Sequence, residues 1–174
     1  MMTHKVVIAN CKQAQNGKST SIRYVFEILS KRYPYRVIEP MTGYDPAQDV
    51  EAIIDIPQPN GQIVKVGIES MGDPGYARPH KSIVDFLNAD CEIILVACRI
   101  KGKTIDEVRK LRSSQWQVIW FGNSTMTISP RNVIDASGSK LFKQDEQLQD
   151  QLSRDYGFYV ASLIERLVLT GGVI

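Results

Sequence analysis

The stretch CEIILVAC, Cys91 to Cys98, is apolar at nearly every position. A strand with one wet face alternates apolar and polar residues, whereas a run without alternation is covered on both sides, as in a parallel sheet enclosed by helices. Val6-Val7-Ile8 and Trp116 to Phe121 read the same way, with Asn132 to Asp135 a weaker fourth strand. Helical periods fall between these runs. Ile22, Val25, Phe26 and Leu29 mark one face of a helix that Pro34 closes, and Ile83, Val84 and Leu87 mark the inward face of another over Pro79 to Asn88. Thr104-Ile105-Asp106-Glu107 has the form of a capping box. The longest helix carries Leu148, Leu152, Tyr156, Tyr159, Leu163 and Leu167 and stops at Gly171. Arg36 to Glu39 is a short strand candidate. Glu51 to Ser70 holds two β-rich runs about Asn60-Gly61, a pair suited to a tight turn, and reads as a hairpin. The expectation is an α/β fold in three layers, its sheet mostly parallel, with helices on both faces and one antiparallel hairpin.

Composition excludes more than it names. A length of 174 residues fits one domain over residues 1–174, and 43% hydrophobic with 23% charged residues is ordinary for a globular chain. A net charge of +2 gives no electrostatic case for nucleic acid as the primary ligand. Two histidines and three dispersed cysteines supply neither a zinc site nor a disulfide framework. No run reaches the length of a membrane span, so the expected setting is cytoplasmic, with no membrane partner.

The chemistry lies in KQAQNGKS, residues 12 to 19, between the first strand and the first helix. A phosphate-binding loop needs backbone N–H groups turned toward phosphate oxygens, a lysine to reach the terminal phosphates and a hydroxyl for Mg²⁺. The helix that follows adds its amino-terminal dipole. Gly17 lets the backbone approach, Lys18 neutralises phosphate and Ser19 offers the metal ligand. Lys12, Gln13, Asn16 and Thr20 complete the candidate binding set. This stretch resembles the phosphate loop of the P-loop NTPase superfamily, with Lys12 where that family has its first glycine. Lysine can stand there only if its φ stays negative. Dimerising partition and cell-division ATPases carry an extra lysine five residues before the motif lysine; Lys12 lies six before Lys18.

The resemblance implies a three-layer P-loop fold, a nucleoside triphosphate with Mg²⁺, and a carboxylate at the end of a neighbouring strand to hold the metal's water shell. In VKVGIESMGDPG, Glu69 and Gly72 have the spacing of the DxxG element of GTPases, in which the glycine N–H meets the γ-phosphate. Asp73 is the alternative acid, although Asp73-Pro74-Gly75 also suits a plain turn. The order of elements is similar to that of Ras-like small GTPases, but Asn123 stands without the lysine and aspartate of the guanine motif NKxD. Asp135 to Lys140 matches the SAK loop only loosely, and Thr42 lies far from Lys18 for a switch threonine. The resemblance therefore implies ATP over GTP.

Arg99, Lys101 and Lys103 follow a buried strand directly, where open parallel sheets bind ligands. They are candidates for stabilising charge during phosphoryl transfer, with Arg99 foremost, or for plain solvated surface. Arg78 and His80 are in the same position. The expected catalytic set is Lys18, Glu69, Asp73 and Arg99, and the metal set is Ser19, Glu69 and Asp73. Three functions follow: a Mg²⁺-dependent NTPase or nucleotide switch, a small-molecule or nucleotide kinase, or a degenerate module that binds without catalysis. A protein partner of unknown identity fits the first and third.

Overall fold

The structure is a computed structural model that describes residues 4–12, 18–38, 49–71, 78–99, 103–122 and 138–173. The chain runs β1 (Val6–Lys12), α1 (Lys18–Ser30), β2 (Tyr35–Val37), β3 (Glu51–Pro57), β4 (Ile63–Glu69), α2 (Arg78–Asn88), β5 (Ile93–Arg99), α3 (Lys103–Ser113), β6 (Gln117–Gly122) and α4 (Gly138–Thr170). The six strands form one sheet in the order β2-β3-β4-β5-β1-β6. β4, β5, β1 and β6 are parallel neighbours, and β3 runs antiparallel to β2 and β4. This is the expected mostly parallel sheet with one hairpin.

Period-two alternation sorts each strand onto two covered faces. Val6 and Ile8 of β1, Val64, Val66 and Ile68 of β4, and Ile93 and Leu95 of β5 pack beneath α1 and α4. Val7 and Ala9, with Ile94 and Val96, pack beneath α2 and α3. Helices therefore cover both faces, which makes three layers.

Two glycines set the helix positions. A Cβ on Gly67 of β4 would lie 2.5 Å from the Phe86 ring, so the missing side chain is the seat of that ring. Phe86 is fully buried as a result, while Val84 and Leu87, expected to face inward, are partly exposed. The ring over Gly67 sets the rotation of α2, and Ile83 alone of the expected three is buried. On the other face a Cβ on Gly157 of α4 would meet the Tyr24 Cβ of α1 at 2.5 Å. The close contact turns Val160, Ala161, Ile164 and Leu167 inward and leaves Leu152 and Tyr159 outside, at 39% and 62% exposure. The expected stripe of large residues is displaced because the helices meet along small ones.

Three helices end in the same way. Cys91, Trp116 and Gly172 each donate a backbone N–H to the carbonyl five residues earlier (Phe86, Leu111 and Leu167), the longer bond of a Schellman motif. Glycine supplies the left-handed residue only in α4; Asp90 (φ 58°) and Gln115 (φ 68°) take it after α2 and α3. The hairpin connection spans residues 58–62 rather than two residues, and only Gly61 takes positive φ (84°). The short strand β2 begins one residue before the expected Arg36. β6 is an edge strand and not a buried one, and Trp120 on it is 41% exposed. The expected strand Asn132 to Asp135 lies outside the described residues.

Candidate functional site

α1 leaves the carboxyl end of β1 toward one face of the sheet, and α3 leaves the adjacent strand β5 toward the other. Neighbouring strands whose connections part to opposite faces open a crevice between their carboxyl ends, the usual ligand position in such sheets. β1 ends at Lys12 and α1 begins at Lys18. Lys18, Ser19 and Thr20 form the first turn of α1, which contains no acidic residue. A helix amino terminus opening with lysine and no carboxylate favours anions.

Lys12, the residue in the first-glycine position, is the last residue of β1. It pairs in register with Arg99, the last residue of β5. An extended backbone keeps φ negative, so the fold has no need of glycine there. Two basic residues thus end the two strands that border the crevice. Gln13, Asn16, Gly17, Gly72 and Asp73 lie outside the described residues, as do Lys101, Asn123 and Thr42. Arg78 and His80 open α2, and Lys103 opens α3.

Glu69 is the last residue of β4, and its position corrects one expectation. The carboxylate was expected on the strand next to β1, but β5 stands between β4 and β1. Two strand spacings put Glu69 about 10 Å to the side of β1. It is 1% exposed. Directly opposite, in antiparallel register on β3, is Glu51, also buried. Two carboxylates facing each other at cross-strand distance repel unless positive charge lies close by. Glu51 was missed in the sequence. A tight turn at Asn60-Gly61 would pair Glu69 with Ala52, and the true connection shifts the register by one, which changes the facing residue.

Asn10 completes the strand-end chemistry. It is fully buried on β1, in register with Ala97 of β5 and Phe121 of β6, and by alternation it shares the α1/α4 side with Val6 and Ile8. Among the described residues neither its amide nitrogen nor its amide oxygen has a hydrogen-bond partner. The Tyr156 hydroxyl, on a ring stacked edge-on to Phe121 at 5.7 Å, is likewise without one, and burial raises its pKa. Of the eight buried polar residues among those described, Asn10, Ser21, Glu51, Glu69, Ser70 and Ser82 lie at strand carboxyl ends, at the facing start of β3 or in helix amino-terminal halves. All six therefore gather at one end of the sheet.

No protein-family model matches the chain, and neither a curated protein nor a solved structure does. The site is therefore argued from its own geometry.

The two described cysteines outside β1 divide between the ends of the sheet: Cys91 precedes β5, and Cys98 stands one residue before Arg99, in register with Cys11 of β1. Cys91 is a free thiol that burial pushes up to about 12, which keeps it protonated and inert. Cys98 is disulfide-bonded, a bond that the cysteine spacing gave no sign of and that a strongly reducing compartment would open. Among the described residues no helix is long and apolar enough to cross a membrane.

Proposed function

We propose that the chain binds a nucleoside triphosphate with Mg²⁺ at the carboxyl ends of β1 and β5, prefers ATP, and works as an NTPase or nucleotide switch. The observation that supports this most is the opening of α1 with Lys18-Ser19-Thr20 beside the point where the sheet's connections change face. The donor set suits the ligand. A helix amino terminus and a lysine take the phosphates, with Lys18 at the β- and γ-positions. Ser19 supplies a hydroxyl to the metal. Glu69, set one strand farther away than a direct ligand would be, acts on the metal's water shell or on the attacking water. Arg99 and Lys12 offset the charge that builds on the phosphates. Gly72 and Asp73, in the connection after β4, follow Glu69 closely enough in sequence to reach the same crevice.

Titration with fluorescent ATP and GTP, with and without Mg²⁺, tests this reading. The wild type is expected to bind ATP saturably and in a Mg²⁺-dependent way, and Lys18→Ala to weaken that binding at least about tenfold, or 1.4 kcal/mol. A folded wild type that binds neither nucleotide ends the proposal. Mixing the protein with ATP alone separates hydrolase from kinase, because a kinase forms ADP only when an acceptor is added.

A further inference from the structure

The second feature of note lies on the outer edge of the sheet, away from the crevice. Trp116 and the alternate β6 residues Val118 and Trp120 line a cavity of about 590 Å³, a size typical of binding sites. Trp116, itself buried, and Val118 reach the α2/α3 side of the sheet. Arg112 from the end of α3, His4 and Val173 complete the walls. Gln62 and the acids Asp90 and Glu92 border a different cavity. Among the described residues the walls of the tryptophan cavity contain no carboxylate.

Among its described lining residues Arg112 is the charged one. Arg109 and Lys110 are tied within α3 to Asp106 and Glu107. Arg112, exposed at the end of the same helix, makes no ion pair among the described residues. The Lys5 ammonium lies over the Trp116 ring at 5.6 Å and also lines the cavity of Asp90 and Glu92.

Among the described residues the backbone beside the cavity is open. β6 ends the strand order, and no strand pairs with its outer side among the described residues. The Gln117 N–H bonds to the Lys5 carbonyl, toward β1. Alternation then points the N–H groups of Val118 and Trp120 outward, to the free edge. An open edge of this kind is a template for a further strand.

We propose that β6 is a docking edge for an extended acidic segment of a partner protein, which pairs with the outward backbone groups of Val118 and Trp120. Its alternate apolar side chains enter the space between the two indoles, and its carboxylates meet Arg112 and His4. Backbone pairing supplies affinity in this mode, and the pockets for alternate side chains supply specificity. The charge of the rim selects acidic segments over basic ones. This site is separate from the nucleotide crevice and does not depend on it.

The chain has two tryptophans, and both are in this cavity, so intrinsic fluorescence reports on it alone. The full chain is titrated with the peptide acetyl-(Glu-Val)4-amide and with its lysine counterpart, acetyl-(Lys-Val)4-amide. The acidic peptide is expected to give a saturable blue shift, with the lysine peptide at least about tenfold weaker. Arg112→Glu, an exposed change that leaves the core untouched, is expected to weaken the acidic peptide at least about fivefold. Val118→Pro removes one outward N–H without removing a bond to β1, and is expected to abolish the shift while circular dichroism stays unchanged. No shift with the acidic peptide, or equal shifts with both, overturns the proposal. So does an already blue emission that reddens on dilution as a dimer dissociates, because a second copy of the chain would then occupy the edge.

Discussion

Along β1 and β4 the chemistry changes within a few residues. β1 opens with Val6 to Ala9, fully buried and aliphatic, and β4 buries Val64, Val66 and Ile68. One step further come Asn10 on β1, Glu69 at the end of β4 and Ser70 just after it, just as deeply buried. Burial is equal in the two zones and composition is not. The middle of the sheet contains groups that gain free energy by leaving water, about 25 cal/mol per Å². The carboxyl end contains groups that lose free energy there unless something pairs with them. The first zone explains why the chain folds. The second is costly to the fold wherever a group such as the Asn10 amide finds no partner among the described residues.

The largest effect is expected in the first zone. Phe86→Ala empties the seat over Gly67 and is expected to cost about 3–5 kcal/mol, read from chemical denaturation. Gly67→Ala places a methyl where the ring stands, 2.5 Å from its atoms, and is expected to cost about 1–3 kcal/mol. The double variant should cost less than the sum, because the new methyl fills part of the space the ring vacated. Strict additivity would show that α2 does not take its position from this glycine.

The second zone is expected to respond with the opposite sign. Asn10 buries an amide with no hydrogen-bond partner among the described residues. An unsatisfied buried polar group costs about 1–3 kcal/mol, so Asn10→Leu should stabilise the protein by a similar amount. The same variant should weaken binding at the crevice, the usual exchange between stability and function at a site. A raised denaturation midpoint with unchanged nucleotide affinity would remove Asn10 from the site. A lowered midpoint would break the contrast between the two zones.

The two zones also differ in how far the sequence revealed them. Apolar runs such as CEIILVAC mark strands covered on both faces whatever their neighbours are, so the fold class and the hairpin were legible. Helix rotation was less so, because it depends on one close approach: Phe86 over Gly67, and Tyr24 against Gly157. Period counting favours large residues and passed over both glycines. The strand before residue 13 and the helix that Lys18 opens were legible as well. Glu51 was not, because its partner is fixed by hairpin register, and a one-residue difference in loop length changes that partner. The place of β5 between β1 and β4 could not be read at all, since nothing local in a parallel strand names its neighbour.

The smallest effect tests whether a polar contact at the surface behaves like the buried ones. Tyr24 donates its hydroxyl to Asp150, which also accepts from Arg154 at 2.9 Å, so α1 and α4 are tied on their solvent side. These bonds, that from Tyr24 first, hold the Asp150 carboxyl below its usual range. A depressed folded pKa means that the tie stabilises fully above the unfolded value of about 3.9 and fades as pH falls through the folded one. The Asp150 side chain is 45% exposed, so the contribution should be under about 1 kcal/mol. Asp150→Asn should therefore lower the urea midpoint slightly and equally from pH 5 to 8, with the gap to wild type closing toward pH 3. A gap of the same size at pH 3 and pH 7 would mean that the carboxylate's charge plays no part. The tie would then be packing alone, and a polar group at the rim would differ in kind from the buried ones at the carboxyl end.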